Sequence, residues 1–323
     1  PEAVTAETKA FMGEIEKNLK ARGARGQIVL VGEAVLTENV PDITNELRGE
    51  IYKKVKRPQV AAAQNDVMGS MRAVMADPSF VVYALVTQAV GAHSVKVPLR
   101  DGVHDLPAMA VAVTDKTRIV FAANPNNPTG TANGAEEVEA LMRALPDGVV
   151  AAFDEAYAEY VGRPDYPDTV RYVREGRPAI VFRTFSKIYG LAGLRIGYGV
   201  TTPEIADVLD RVRQPFNTNR LAQTAALAAL SDEAHVARSR GVNEEGKAFL
   251  SGEFRRMGVS FHPTEANFFY LPLGERSAKD LSDALLRKGV IVRPMGPAIR
   301  VTIGLPEENE RFVKAFSEVL GVM

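Results

Sequence analysis

The chain has 323 residues, enough for one large core plus a smaller second domain, and its 39 Lys and Arg balance 40 Asp and Glu to a formal net charge of −1. That balance, broken only by the short basic cluster at 53–57, argues against a nucleic-acid partner; the absence of cysteine excludes disulfides and thiolate metal sites, and His93, His104, His235 and His262 show no metal-ligand spacing. No apolar run reaches the roughly 18–20 residues of a membrane span, and no signal-peptide pattern follows Pro1, so a cytoplasmic chain lacking its true N-terminus is expected.

Residues 1–39 read as a helical segment expected to pack near the small domain. From about residue 56 short apolar runs alternate with amphipathic stretches, the signature of a mainly parallel sheet. Strands are expected at 59–62, 94–97, 118–122, 148–153, 179–185 and 195–200. Between them, 136–145 presents Val138, Leu141, Met142 and Leu145 on one helical face, and 203–213 presents Ile205, Val208, Leu209 and Val212. The Ala/Leu run 223–230 reads as a buried helix.

After Ser231 the character changes. The charged stretch 233–257 reads as a helix despite Gly241, Gly246 and Gly252. A strand at 267–271 follows, then a helix at 279–288 with Ser277 and Asp280 as a capping box and Gly289 as its stop. Strands at 290–293 and 299–303 and a helix at 307–320 complete the unit. The expected architecture is α/β: a large domain over 40–230 with a mainly parallel mixed sheet, and a smaller α+β domain over 231–323.

Chemistry-bearing residues cluster at the expected strand ends. Lys187 follows Thr184 and Ser186 in a turn leaving an apolar strand, with Arg195 eight residues on. A lysine beside another cation can lose its proton and act as an amine nucleophile; a lone Ser-Lys would otherwise be a surface turn. Asp154 ends the run Gly-Val-Val-Ala-Ala-Phe, at the edge where open α/β sheets bind ligands. There it can pair with a pyridine nitrogen or merely cap the next helix. Tyr157 and Asn127 can both donate to a phenolic oxygen, or serve as a core tyrosine and an Asn-Pro turn. Gln64 and Asn65 lie where a strand meets a helix start, an arrangement that offers free N–H groups to a phosphate. Phe80 can stack on a flat ring or join the core. Arg300 interrupts an apolar strand and requires an anion, either a substrate group or an internal salt bridge. Together these residues suit an aromatic aldehyde phosphate, with pyridoxal 5′-phosphate the leading candidate.

Asn-Pro-Asn-Asn-Pro-Thr-Gly at 124–130, Asp-Glu-Ala-Tyr at 154–157, Thr-Phe-Ser-Lys at 184–187 with Arg195, Pro-Phe-Asn-Thr-Asn-Arg-Leu-Ala-Gln at 215–223 and Arg-Val-Thr-Ile-Gly at 300–304 carry a resemblance. They resemble the fold-type I pyridoxal-phosphate aminotransferases, most closely the histidinol-phosphate aminotransferases, over residues 78–320. The resemblance implies Lys187 as the Schiff-base lysine, Asp154 on the pyridine nitrogen, and Asn127 and Tyr157 on the phenolic oxygen. It implies Ser186 and Arg195 on the phosphate with Thr184 nearby, Phe80 on the ring, and Arg300, with Arg293, on the anionic ends of the substrates. It further implies a homodimer transferring an amino group from a small-molecule donor to a 2-oxo acid. Histidinol phosphate and 2-oxoglutarate, in histidine biosynthesis, are the expected pair. An aromatic amino-acid donor, or a non-catalytic binding protein on the same fold, are the alternatives. The first 78 residues depart from the pattern. Thr37-Glu38-Asn39 is at most a remnant of the family's Asn-Glu-Asn-Pro motif, and Val40 replaces the tyrosine that usually precedes Pro41-Asp42. The phosphate cup Ala63-Gln64-Asn65 lacks its glycine, and the stretch from there to Asp77-Pro78 is shortened.

Overall fold

The computed structural model describes residues 68–321. From Gly69 on, the described residues form one compact unit. The expected strand at 59–62, Gln64, Asn65 and the expected N-terminal segment lie outside the described residues.

Six strands, β1 (Arg72–Asp77), β2 (His93–Pro98), β3 (Thr117–Ala123), β4 (Val150–Asp154), β5 (Ala179–Thr184) and β6 (Gly197–Thr201), form one sheet in the order β2-β1-β3-β4-β5-β6. All neighbours pair in parallel except β6, which runs antiparallel to β5. A parallel sheet covered on both faces demands strands apolar at successive positions. Ala73–Ala76 and Ala151–Phe153 are accordingly buried without alternation. Helices α1 (Val82–Ala89), α2 (Leu106–Val111), α3 (Ala135–Ala144) and α4 (Val170–Arg174) connect these strands. The α3 face reads as expected: Val138, Leu141 and Met142 are buried against Val120, Phe153 and Tyr172. Burial of a side chain such as Phe153 contributes about 1.5–3 kcal/mol, so this cluster fixes the strand ends from beneath.

Helices α5 (Pro203–Val212), α6 (Arg220–Leu230) and α7 (Glu233–Arg256) lead to the second sheet. It contains β7 (Phe268–Pro272), β8 (Arg293–Pro294) and β9 (Ala298–Thr302) in the antiparallel order β7-β9-β8, with α8 (Ala278–Arg287) and α9 (Pro306–Leu320) packed on it. Its core joins Leu250 and Phe254 of α7 to Phe269, Leu285, Ile299, Phe312 and Phe316. The glycines inside α7 do not break it, and Gly246 has a packing reason. A Cβ there would come within 2.5 Å of the Ile303 side chain and 2.9 Å of Asn309. The Ser277 hydroxyl accepts the Asp280 N–H at 3.2 Å, as the expected cap of α8 requires, and Gly289 follows with φ 73°.

Three expectations need correction. The strand β1 was not anticipated, since Arg-Ala-Val-Met-Ala-Asp is short and rich in alanine and methionine. The strand expected at 290–293 is instead Arg293–Pro294, paired with Arg300 and Ile299 of β9 and ended by proline, which has no N–H to carry the ladder on. Helix α6 is not a buried helix: only Ala222 and Ala226 are buried, while Leu221 and Leu227 are 77% and 70% exposed. Alanine and leucine specify a helix but not where it faces. Among the described residues no helix is long and apolar enough to cross a membrane.

Candidate active site

Three adjacent parallel strands deliver their carboxyl ends to one place. Asp154 closes β4 opposite Ala123, the last residue of β3, and opposite Phe182 of β5. Asn127 lies in the loop leaving β3, and Lys187 in the turn leaving β5. Pairing persists past the strands, with the Asn124 N–H donating to the Asp154 carbonyl at 2.9 Å and the Glu155 N–H to the Phe182 carbonyl at 3.0 Å. The parallel register therefore gathers Asn127, Asp154 and Lys187 from widely separated positions.

Asp154 is held by two donors. Its Oδ1 accepts the Ala156 N–H at 3.1 Å, and its Oδ2 accepts the Tyr83 hydroxyl at 2.5 Å. The first bond closes a local turn rather than capping an α-helix; the next short helical turn, Ala158–Tyr160, has Tyr157 at its cap. Burial pushes the Asp154 carboxyl above the usual carboxylate range, while the Tyr83 and Ala156 bonds and the Lys187 charge pull it down. A carboxylate so placed can hold positive charge on a bound ring.

Next to it, Glu155 follows the end of β4. It is fully buried, accepts from the Thr169 hydroxyl and pairs with Arg183 at 2.5 Å; Arg183 also reaches Glu159 at 3.3 Å. Burial raises the Glu155 carboxyl and Arg183 opposes it. The Tyr166 hydroxyl donates to the Asn124 carbonyl. This layer anchors the loop beyond Asp154 without entering the site.

Tyr157 is buried, its ring edge-on to Phe268 at 5.1 Å and 84°, and the Lys187 Nζ lies 5.2 Å from its centroid. It is thus both a packed tyrosine and a neighbour of the lysine. The Ser186 N–H donates to the Thr184 Oγ1 at 3.1 Å, which fixes the turn carrying Lys187. On the far side of that turn, the His235 Nε2 donates to the Ile188 carbonyl at 3.0 Å.

Arg300 crosses from the second sheet. Its Nη1 donates to the Asn127 Oδ1 at 2.5 Å and its guanidinium lies 4.7 Å from the Phe268 centroid. That bond uses the amide oxygen of Asn127 and leaves its NH₂ free to donate. No carboxylate pairs with Arg300 among the described residues, and its Nε has no partner. The salt-bridge alternative is therefore not realised there. Arg293, exposed, stands directly opposite Arg300 across β8 and β9, so two cations share one sheet face. Burial, followed by the Arg293 charge, pushes the Arg300 guanidinium down, while Tyr157 opposes the shift. The two sheets approach closely at Gly130, whose φ is 76° and whose carbonyl accepts the Glu265 N–H at 2.7 Å. A Cβ there would lie 2.1 Å from the Thr264 Oγ1.

Two expected residues stand apart. Arg195 is exposed, with φ 53°, and its Nη1 donates to the Ala192 carbonyl at 2.9 Å, so its side chain folds onto its own turn rather than against Lys187. Phe80 is 38% exposed and not a core residue; it touches Tyr83 edge-on at 5.6 Å. Tyr83, Phe268 and His235 escaped the sequence reading. The only trace of Tyr83 was an aromatic three residues beyond Phe80.

The family model described as aminotransferase class I and II matches residues 58–316. A second, described as type-F conjugative transfer system protein, matches residues 1–55, within the stretch that departs from the expected motifs. Histidinol-phosphate aminotransferase of Moorella thermoacetica is 50% identical over 253 residues, 76% of this chain and 65% of that protein. Histidinol-phosphate aminotransferase 2 of Pseudomonas fluorescens is 49% identical over 255 residues, covering 77% of this chain and 69% of that one. The chain thus matches about two thirds of the length of these curated relatives. A crystal structure of histidinol-phosphate aminotransferase from Sinorhizobium meliloti in complex with pyridoxal-5′-phosphate superposes with a TM-score of 0.73 at 28% identity, covering 79% of this chain and 74% of that one.

Proposed function

Because this chain belongs to the class I and II aminotransferase family, we propose that it is a pyridoxal-phosphate-dependent aminotransferase moving an amino group from histidinol phosphate to 2-oxoglutarate in histidine biosynthesis. The observation that carries this reading is Arg300, a cation with no carboxylate partner among the described residues, facing Asn127 beside Asp154, Tyr157 and Lys187.

The donor set fits the cofactor. When bound, it would accept the electron pair left at the substrate Cα once the proton there is removed. Asp154 would hold positive charge on the ring nitrogen. The free NH₂ of Asn127 and the Tyr157 hydroxyl would donate to the phenolic oxygen, and the exposed ring of Phe80 would lie on the cofactor face. Ser186 and Thr184 would hold the phosphate, joined by Arg195 if its side chain leaves the Ala192 carbonyl. Lys187 would carry the cofactor covalently, yield it to the donor, and then move the proton at Cα. Arg300, with Arg293, would hold the anionic ends of both substrates. In this reading residues 40–230 form the cofactor domain and 231–323 the smaller domain. The exposed Val212, Phe216, Leu221 and Leu227 supply an apolar surface that a second copy would cover in a cytoplasmic homodimer.

Purified protein incubated with pyridoxal phosphate should turn yellow and lose that colour on borohydride reduction. Protein that takes up no cofactor overturns the catalytic reading and favours a binding role. A donor panel at fixed 2-oxoglutarate then tests the substrate. If phenylalanine or tyrosine exceeds histidinol phosphate in kcat/KM, the donor assignment fails.

A further inference from the structure

Tyr83 belongs to no motif, yet among the described residues it is the side chain hydrogen-bonded to Asp154. It sits in the first turn of α1, three residues after Phe80, and its ring is 5% exposed. That ring lies flat on Phe121 of β3, with centroids 4.7 Å apart and planes 7° apart, and meets Phe80 edge-on at 83°. Clamped between two rings, the phenol cannot swing away, and its hydroxyl donates to the Asp154 Oδ2 at 2.5 Å. A tyrosine buried for packing alone needs some acceptor; this one has a buried carboxylate at the ligand-binding edge of the sheet.

A phenol O–H gives a stronger bond to an ionised carboxylate than to a protonated one. With Tyr83 on Oδ2 and the Ala156 N–H on Oδ1, both oxygens are fixed in place and each keeps a free lone-pair direction. We propose that Tyr83 is a positioning residue acting through Asp154: its phenol locks the carboxylate in one rotamer and in its charged form. The proton shared with a cofactor's ring nitrogen then stays on the nitrogen, where it makes the ring a better electron sink. This second part rests on the aminotransferase reading; the first does not. Tyr83 also links the face of the site to its edge, because the ring that touches Phe80 bonds Asp154.

Among the described residues, the titratable groups that act on Asp154 are Tyr83 from α1 and Lys187 from the turn after β5; Tyr166, from the segment after β4, also feels its charge, and Tyr157 faces Tyr83. Tyr83→Phe removes the hydroxyl and keeps the stack on Phe121. In cofactor-free protein, the Asp154 carboxyl can be titrated by difference infrared spectroscopy, with Asp154→Asn identifying its band. Tyr83→Phe should raise the pH at which that band protonates. In cofactor-loaded protein it should lower kcat about 10- to 100-fold, as expected for losing a bond to a charged group, with little change in KM. In an Asp154→Asn background the same change should cost less than about 2-fold. If Tyr83→Phe does not fold, Phe121→Leu frees the phenol and should shift the band in the same direction. An unmoved band, or an equal fall in both backgrounds, overturns the proposal. If wild-type protein takes up no pyridoxal phosphate, the aminotransferase reading fails, and the infrared titration still decides whether Tyr83 controls Asp154.

Discussion

Arg300→Gln should separate anion binding from fold stability. In the structure, the guanidinium commits Nη1 to Asn127 and leaves Nε unpartnered. An anionic substrate end would take two charge-assisted bonds from the remaining donors, each about 1.5–3 kcal/mol, and glutamine would restore one neutral bond of about 1 kcal/mol. The net loss is about 2–5 kcal/mol, or roughly 30- to 4,000-fold in kcat/KM at about 1.4 kcal/mol per tenfold. It should fall mainly on KM, because the anion is held alike in ground and transition states. Stability should behave differently. The variant loses the Asn127 bond, about 1 kcal/mol, and the contact with Phe268, about 0.5–2 kcal/mol. It also removes a desolvated cation that faces Arg293 and has no carboxylate among the described residues. These terms oppose, so the ligand-free Tm should move by only a few degrees. In cofactor-loaded protein, where the cofactor's own phosphate site is filled, inorganic phosphate at ten times its Kd should stabilise the wild type by about 1.4 kcal/mol through mass action and leave the variant unmoved. Both are read by thermal melts with and without phosphate, beside steady-state kinetics. A stability loss of about 3–5 kcal/mol with unchanged KM would refute the reasoning, since that is the signature of a broken buried ion pair.

Three other substitutions probe the site and its surroundings. Asp154→Asn should lower kcat at least about 100-fold while cofactor still binds; near-normal turnover would reduce Asp154 to a turn residue. The same variant has a pH signature without cofactor. Burial raises the folded pKa of Asp154, so wild-type stability should fall as pH rises from the ordinary carboxylate value to the raised one, and Asn should flatten that segment of the Tm–pH curve. Lys187→Ala should still bind pyridoxal phosphate but leave no bond for borohydride to fix and no turnover; an active variant refutes its role. Burial holds His104, whose ring nitrogens have no hydrogen bond among the described residues, near pKa 4 against an ordinary 6.5. Its stabilising contribution is present above pH 6.5 and lost as pH falls toward 4, about 3 kcal/mol in all. His104→Leu should weaken that acid dependence, and an unchanged Tm–pH slope would contradict the assignment.

Asn127, Asp154, Tyr157 and Lys187 were legible in the sequence because each sits at or just past a strand end, and strand ends leave local signals. Their convergence followed from the parallel register. Tyr83 was not legible, since its bond to Asp154 spans 71 residues and depends on α1 packing against β3. Phe268 and His235 were missed for the same reason: the partners that give them a role, Arg300 and Ile188, lie far along the chain. The strand β1 was hidden by residues that pack well in a covered sheet but carry no strong strand preference. In α6 the opposite happened, and an apolar composition suggested burial that the packing does not provide.

Helix α7 also has a mechanical consequence. Its 24 residues form a rod about 36 Å long at about 1.5 Å per residue. One end is embedded in the second core through Leu250 and Phe254; near the other, His235 grips the carbonyl beside Lys187, and Arg240 holds the Glu159 carbonyl at 2.8 Å. A rod anchored this way behaves as a lever. A tilt of about 5° of the core that holds it would carry the far end by about 3 Å, comparable to one hydrogen bond. Lys187 would feel that displacement through a single peptide group.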